Sequence, residues 1–217
     1  MLRVISFDLD GTLIKKGYDD IFWNELVPEL YAESKKISFE NAQKFILDAY
    51  DSIGPSDPRW YIPEYWFEKF GLTANIREVL KRVNYADGVY DDLHMLSDFS
   101  RNHTVIISTN NPRVILEHKL DVLNQSKHFL TKAFSAVSDF ANIVKSKEFY
   151  LGICKEMAIE PEQMLHIGDD LANDVEIPMS VGVNALLIDR ERKNDGKNII
   201  HSLAELKHVI QSSWGVH

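Results

Sequence analysis

The stretch Val4-Ile5-Ser6-Phe7-Asp8-Leu9-Asp10-Gly11-Thr12-Leu13 decides the fold of this chain. An apolar run that ends in two carboxylates and a glycine is typical of a buried strand whose C-terminal end opens into a site. Side chains at positions i and i+2 of a strand leave it on the same side, so Asp8 and Asp10 would repel each other. A divalent cation relieves such repulsion, and Mg²⁺ prefers carboxylate and carbonyl oxygens.

The segment Asp8-Leu9-Asp10-Gly11-Thr12 resembles the first motif of the haloacid dehalogenase-like (HAD) hydrolase superfamily. In that family the first aspartate is the nucleophile and the second is the general acid/base. The resemblance therefore assigns these roles to Asp8 and Asp10. A strand that merely ends in two solvated acids is the competing interpretation, and the motif matches further along the chain count against it.

Composition limits the classes of protein that fit the sequence. With 217 residues, 45% of them hydrophobic, the chain can bury one substantial core and a smaller accessory unit. A net charge of −9 argues against nucleic acid or an anionic membrane as the main partner. The single cysteine, Cys154, lies in an apolar helical pattern and is expected to fill core space. Because we find neither a membrane-spanning segment nor a signal peptide pattern, we expect a cytoplasmic protein. The oligomeric state stays open.

Residues 15–85 carry helical patterns and include a dense aromatic cluster between Trp60 and Phe70. Two of the predicted helices cover residues 63–70 and 73–83. We interpret this block as an all-helical cap, whose aromatic cluster mainly forms the cap core. Arg59 and the residues beside it are candidates for facing the substrate. In the resembling family, an insertion between the first two motifs is a lid that selects the substrate.

Strand and helix patterns alternate after the cap, which is typical of a parallel α/β sheet. Predicted strands cover residues 103–108, 133–137, 164–168 and 185–188, and a helix closes the chain. The predicted fold is thus α/β, a Rossmann-like parallel-sheet core with an inserted helical cap. Residues 1–14 and 86–217 would form the catalytic core. The arrangement resembles the helical-cap subclass of the family, which includes phosphatases similar to phosphoglycolate phosphatase.

Polar residues follow each later strand, where ligands bind in open α/β sheets. Ser108-Thr109-Asn110 resembles the second motif, which implies that the Thr109 hydroxyl and Asn110 bind the phosphate of a substrate. Lys145 resembles the lysine of the third motif, which offsets the negative charge of nucleophile and phosphate. Since Lys147 stands where proline is common in that motif, the sequence leaves the choice between Lys145 and Lys147 open.

Gly168-Asp169-Asp170-Leu171-Ala172-Asn173-Asp174 resembles the fourth motif. By that resemblance Asp169 binds the metal, together with Asp8 and the backbone carbonyl of Asp10. Asp174 would brace the lysine or a metal-bound water, and Asp170 is the alternative carboxylate, either for the metal itself or for this supporting role. In the competing interpretation, these acids only cap the N-terminus of the following helix, where negative charge is favourable.

The four motifs together imply Mg²⁺-dependent hydrolysis of a phosphate monoester of a small metabolite through an aspartyl-phosphate intermediate. Dehalogenases of the superfamily lack the second carboxylate, so Asp10 counts against that activity. A phosphotransferase or mutase would use the same residues. A non-catalytic binding protein on this fold is disfavoured by the presence of Asp8, Asp10, Lys145 and Asp169 together.

Overall fold

The computed structural model describes residues 1–124, 130–142 and 144–214. Within them, six parallel strands form one sheet in the order β3-β2-β1-β4-β5-β6. The strands are β1 (Val4–Phe7), β2 (Thr104–Thr109), β3 (Lys132–Ser135), β4 (Met164–Gly168), β5 (Asn184–Ile188) and β6 (Ile199–Ile200). This is the predicted Rossmann-like parallel sheet, and β6 is an addition to the predicted strands.

Strand β1 lies in the interior of the sheet, with β2 as its parallel neighbour on one side and β4 on the other. Phe7 pairs with Ile107 on one side and with Ile167 on the other. The next residue of each strand therefore reaches the same carboxyl edge, and the strand order reverses between β1 and β4. Ligands bind at such a reversal in open α/β sheets. The opening motif and the fourth motif lie on its two sides.

All elements between β1 and β2 are helical, in agreement with the predicted helical cap. The α-helices of this segment are α1 (Tyr18–Asp20), α2 (Val27–Lys35), α3 (Phe39–Ile53), α4 (Pro63–Phe70), α5 (Ile76–Leu80) and, just before β2, α6 (Leu96–Phe99). A π-helical segment, Ile21–Leu26, joins α1 to α2, and short 3₁₀ segments cover Pro58–Tyr61, Tyr85–Gly88 and Asp91–Met95.

Local chemistry explains where several cap helices begin and end. The Ser38 side chain caps α3 by accepting a hydrogen bond from the Asn41 backbone N–H. Helix α4 has the predicted bounds, with Pro63 in its first turn and Gly71 in the left-handed conformation after its end. Helix α5 is shorter than the predicted helix over 73–83, because Asn75 caps it two residues into that range.

The helices that follow β2 complete the core. They are α7 (Arg113–Asn124), α8 (Ala136–Phe140), α9 (Lys147–Glu156), α10 (Ile177–Met179) and α11 (Leu203–Trp214), with a π-helical segment over Leu171–Glu176 before α10. None of the helices in the described ranges combines the length and the apolar character needed to cross a membrane.

Cap and sheet share one cluster of buried apolar side chains. It includes Ile5 and Ile107 from the sheet and Phe22, Ile46 and Trp66 from the cap. A smaller cluster on the other side of the sheet contains Cys154, which is buried, as its apolar pattern predicts. The cap is therefore seated on the core through apolar contacts next to the carboxyl edge of the sheet.

Candidate active site

A cavity of about 540 Å³ lies between the carboxyl edge of the sheet and the cap. The structure brings all the sequence-predicted site residues to its wall: Asp8, Asp10, Thr109, Asn110, Lys145, Asp169, Asp170 and Asp174. They come from the ends of three strands and, for Lys145, from the loop before α9, and these segments are far apart in the chain. Their convergence follows from the parallel register, which aligns the ends of β1, β2 and β4.

Asp8 lies at the base of the cavity and is 6% exposed. The Lys145 ammonium donates a hydrogen bond of 2.7 Å to Asp8 Oδ1. Burial raises the pKa of Asp8 to about 7; Lys145 opposes this shift, and the neighbouring carboxylates of Asp174 and Asp10 add to it. A nearby cation is therefore needed to keep Asp8 ionised at neutral pH.

Lys145 is the lysine that the structure places at the site, whereas Lys147 is exposed in the first turn of α9. The Lys145 ammonium forms ion pairs with both Asp8 and Asp174. Burial lowers its pKa, but these two carboxylates raise it well above the usual value. Its backbone N–H donates to Asn110 Oδ1 at 2.8 Å, which ties the loop before α9 to the end of β2.

A line of buried hydrogen bonds supports Lys145 from below. His166 Nε2 lies 3.0 Å from Asp174 Oδ1, and His166 Nδ1 lies 2.9 Å from Ser6 Oγ. Ser6 Oγ in turn lies 2.7 Å from Ser108 Oγ. Burial lowers the pKa of His166, so its ring is neutral, donating to Asp174 and accepting from Ser6. Although burial opposes it, Lys145 and His166 hold the pKa of Asp174 well below its usual range.

Asp10 turns its carboxylate towards α7. Its two oxygens accept hydrogen bonds of 2.7 and 2.8 Å from the Lys119 ammonium, and Oδ2 accepts one of 2.5 Å from Asn111 Nδ2. The carboxylate therefore lies apart from the cluster formed by Asp8, Asp169 and Asp174. Only the backbone carbonyl of Asp10 stays available for the metal role that the motif implies.

Thr109 is 2% exposed, and its hydroxyl accepts hydrogen bonds from the backbone N–H and the side-chain amide of Asn111, at 3.2 and 3.1 Å. It therefore retains its own O–H to donate towards the cavity. Asn110 contributes to the wall while its side-chain oxygen accepts from Lys145. The structure thus places the turn after β2 beside Lys145 and Asp8.

The carboxylates of Asp8, Asp169 and Asp174 could hold a metal ion, since one oxygen of each lies within 4.8 Å of the others. The Lys16 ammonium forms an ion pair with Asp169 and so already places a cation beside the cluster. Gly11, with φ of 83°, passes so close that a Cβ there would lie 2.3 Å from Asp169 Oδ2. The carboxylate oxygens of this cluster are the type of ligand that Mg²⁺ prefers. The ion pair with Lys16 shows that the cluster accepts a positive charge.

Burial raises the pKa of Asp169, and Lys16 opposes that shift. Asp170 caps the segment Leu171–Glu176 by accepting a hydrogen bond of 2.8 Å from the Asn173 N–H. The capping interpretation of these acids therefore describes Asp170, whereas Asp169 and Asp174 point into the cluster.

The cap supplies the opposite wall of the cavity. Its contribution is aromatic and acidic: Asp19, Asp20, Trp23, Asn24, Leu47, Tyr50, Asp51, Trp60 and Tyr61. The predicted aromatic cluster thus divides, since Trp66, Phe67 and Phe70 are buried in the cap core while Trp60 and Tyr61 face the cavity. Arg59 is exposed and pairs with Asp57, outside the lining.

Sequence reasoning missed Lys119, Asn111, Asp19 and Lys16. A signal for Lys119 was present, because it continues the buried stripe of α7 formed by Ile115, Leu116 and Leu123. A charged residue on the apolar face of a helix requires a buried partner. The sequence could not show that this partner is Asp10, which is 109 positions away.

Comparison with known proteins assigns the family. The model of the haloacid dehalogenase-like hydrolase family matches residues 2–178, and the chain belongs to this family. The GMP/IMP nucleotidase YrfG of Escherichia coli is 31% identical over 68 residues, which cover 31% of this chain and 30% of that protein. The alignment therefore spans less than a third of the curated relative.

Solved structures confirm the fold. A HAD phosphatase from Thermococcus onnurineus has a TM-score of 0.73 at 24% identity, covering 97% of this chain and 98% of that chain. The putative HAD-hydrolase YfnB from Bacillus subtilis, solved with magnesium bound, has a TM-score of 0.62 at 19% identity, covering 97% and 99%.

Proposed function

We propose that this protein is a Mg²⁺-dependent phosphatase that hydrolyses phosphate monoesters of small metabolites through an aspartyl-phosphate on Asp8. The observation that carries this proposal is the pairing of the buried Asp8 carboxylate with Lys145, at 2.7 Å, on the floor of a cavity lined by Asp10 and Asp169. Bound Mg²⁺ would be held by Asp8, Asp169 and the Asp10 backbone carbonyl, and would neutralise charge between nucleophile and phosphate.

In the first step, an oxygen of Asp8 attacks phosphorus and the bond from phosphorus to the ester oxygen breaks. Asp10 donates its proton to that oxygen as it leaves. In the second step, Asp10 takes a proton from water, the water oxygen attacks phosphorus, and the bond to Asp8 breaks. Lys145 and the Thr109 hydroxyl stabilise the phosphoryl oxygens in both steps.

We further propose that residues 1–14 and 86–217 act as the catalytic unit and residues 15–85 as a lid. The support is that the cavity lies between the two parts, with its cap wall drawn from α1, the segment Ile21–Leu26, α3 and the segment Pro58–Tyr61. Closure of such a lid excludes water from the phosphoryl transfer and brings specificity residues to the substrate.

The nucleophile is tested by substituting Asp8 with Asn. We expect Asp8→Asn to lose turnover of p-nitrophenyl phosphate and of alkyl phosphates alike, and to lose the phosphoryl adduct that acid-quench mass spectrometry detects on Asp8 of the wild type. Asp48→Asn, on the exposed face of α3, is the matched control and should keep activity. Full activity after exhaustive chelation would contradict the metal assignment, and phosphoryl transfer to added sugar hydroxyls would favour a phosphotransferase.

A purine nucleoside monophosphate is the substrate class that the cap wall favours. This wall carries aromatic side chains on which a planar base could stack, namely Trp23, Trp60 and Tyr61. The cavity volume of about 540 Å³ is in the range of small-molecule sites. The partial match to a GMP/IMP nucleotidase supports the same class.

This substrate class is tested with Trp60→Ala. Because stacking contributes about 1–3 kcal/mol per base, we expect kcat/KM for GMP and IMP to fall roughly 5- to 100-fold. For ribose 5-phosphate, which has no base, kcat/KM should change little. Phe45→Ala, an exposed aromatic position on the same cap, serves as control. Equal losses for the nucleotides and the sugar phosphate would remove the support for base stacking.

A further inference from the structure

We propose that Lys119 is the positioning residue of the general acid/base. It fixes the orientation of the Asp10 carboxylate and couples that orientation to the position of the cap on the core. The proposal rests on the proposed phosphatase function, in which Asp10 transfers the proton. Lys119 itself is completely buried, and the cavity wall does not include it. It therefore acts through Asp10 and does not touch the substrate.

The contacts of Lys119 use its full hydrogen-bonding capacity. Its ammonium lies 2.7 and 2.8 Å from the two oxygens of Asp10, 2.7 Å from Asp19 Oδ2 and 3.3 Å from Asn111 Oδ1. A lysine ammonium has three N–H donors, and here each has a carboxylate or amide acceptor. Because a buried charge without partners is strongly disfavoured, this arrangement holds both carboxylates in one geometry.

Asn111 completes the clamp on Asp10 from the other side. Its amide nitrogen donates a hydrogen bond of 2.5 Å to Asp10 Oδ2, and its amide oxygen accepts a hydrogen bond from the Lys119 ammonium. Two donors on a single carboxylate restrict rotation about both side-chain torsions of Asp10. A proton donor must lie within hydrogen-bond reach of the leaving oxygen. A carboxylate held in one orientation is preorganised for this transfer.

Lys119 also lies where the two connections between cap and core meet. Asp19 belongs to α1, which follows the first connection, and Tyr85 begins the 3₁₀ segment that precedes the second. The Tyr85 hydroxyl donates to Asp19 Oδ1 at 2.6 Å, and the Tyr85 ring centroid lies 5.2 Å from the Lys119 ammonium. A shift of either connection therefore moves a partner of Lys119, and through Lys119 it alters the position of Asp10.

The test compares leaving groups, because the need for a proton from Asp10 depends on how basic the departing oxygen is. Departure of p-nitrophenolate needs little help from an acid, whereas departure of an alkoxide needs a placed proton. In Lys119→Gln we expect single-turnover rates for a sugar phosphate to fall about 10- to 100-fold, in line with misplacement of a catalytic group by about an ångström. The rate of Asp8 phosphorylation by p-nitrophenyl phosphate should fall less than about threefold, with KM nearly unchanged. Lys119→Arg, which keeps charge and donors, should restore part of the sugar phosphate rate.

Controls separate this proposal from the proposed function. Wild-type turnover and the Asp8 adduct must first be present, since their absence would reject the phosphatase itself. Lys132→Met removes an exposed lysine that pairs with Glu156, and should leave both rates unchanged. If Lys119→Gln does not fold, Asp19→Asn replaces it in the test, because Asp19 pairs with Lys119 from the cap and is partly exposed. In Asp19→Asn we expect the sugar phosphate rate again to fall more than the p-nitrophenyl phosphate rate, but by a smaller factor than in Lys119→Gln. Equal losses for both esters, or no loss for either, would overturn the positioning role of Lys119 while leaving the phosphatase intact.

Discussion

His166 shows how a single buried side chain supports the site from beneath. It lies in β4 and passes no charge to the cavity, yet it joins Ser6 of β1 to Asp174, the partner of Lys145. A neutral imidazole suits this place, since it donates to one neighbour and accepts from the other. Lys145 is thus supported by a column of hydrogen bonds that continues from Ser6 to Ser108 and so crosses β4, β1 and β2.

Replacing His166 should therefore affect both stability and activity. His166→Ala removes one buried hydrogen-bond partner from Asp174 and one from Ser6 and opens a cavity, so we expect the free energy of unfolding to fall by about 2–4 kcal/mol. Activity should fall as well, because Asp174, a counterion of Lys145, loses one of the contacts that fix its position. Urea unfolding measures the first effect. His208→Ala, at an exposed position of α11, should stay within about 0.5 kcal/mol of the wild type. Equal stability of both variants would mean that the column contributes nothing.

The raised pKa of Asp8 predicts a linkage between pH and metal. A carboxyl whose pKa rises to about 7 on folding contributes stability below its unfolded pKa of 3.8, and this contribution is lost as the pH rises through 7. Mg²⁺ removes the penalty by binding the ionised form. The stabilisation by Mg²⁺ should thus grow by about 1–2 kcal/mol between about pH 6 and pH 8.

Thermal melts with and without Mg²⁺ at several pH values measure this linkage. In Asp8→Asn the position cannot titrate, so the increment from Mg²⁺ should lose most of its pH dependence. An increment that stays constant with pH in the wild type would show that Asp8 is already ionised in the metal-free protein.

At the scale of elements, Gly11 links the first motif to the fourth. Its φ of 83° lies in the left-handed region, and an added Cβ would overlap the Asp169 carboxylate. Gly11→Ala should therefore displace Asp169, weaken Mg²⁺ binding and lower kcat/KM at least tenfold. Activity titrated with Mg²⁺ measures both effects.

Gly17 provides the matched control for Gly11. It has a φ of 91°, but the nearest atom to an added Cβ is Asp20 Oδ2 at 3.8 Å. Gly17→Ala thus carries the same backbone strain, about 1–2 kcal/mol, without the overlap. If Gly17→Ala lost Mg²⁺ binding as strongly as Gly11→Ala, strain alone would explain the loss.

Elements defined by continuous apolar runs could be predicted from sequence, whereas those defined by distant contacts could not. Strand β4 and helix α4 have the predicted bounds, because an apolar run and a proline-to-glycine frame mark them locally. Strand β6 has only two residues and depends on its pairing with β5, so no local pattern marks it. The π-helical segment Ile21–Leu26 spans 6 residues, which are too few for the sequence to distinguish its period from that of an α-helix.

The same distinction applies to the site. Resemblance to the family motifs located Asp8, Thr109 and Asp169, each at the end of a strand that the sequence shows, and Lys145, just before a predicted helix. Lys119 lies in the middle of a helix, and its partners come from the opening strand end and from the cap. Which way the Asp10 carboxylate turns also depends on this contact across the chain. Position along a strand can be inferred locally, but the pairing of side chains requires the tertiary structure.

At the scale of the whole molecule, the shared apolar cluster predicts cooperative unfolding. Because Phe22, Ile46 and Trp66 lie in one cluster with Ile5 and Ile107, the cap should not melt separately from the sheet. Trp23, Trp60 and Trp66 report on the cap in a Trp214→Phe background, while far-UV circular dichroism reports on all helices. We expect both signals to give the same Tm, and an earlier fluorescence transition would show a cap that opens by itself.

The central place of β1 also affects how the chain is synthesised. Strand β1, which Asp8 follows, is made before the other five strands, but its two neighbours begin only at residues 104 and 164. At a synthesis rate of roughly 5–20 residues per second, about 8–30 seconds pass between the synthesis of β1 and that of its second partner, β4. The cap helices are local in sequence and become available in that interval. The nascent chain thus carries Asp8 for the synthesis of more than 150 residues before β4 follows, and the pocket around Asp8 forms only when that strand has emerged.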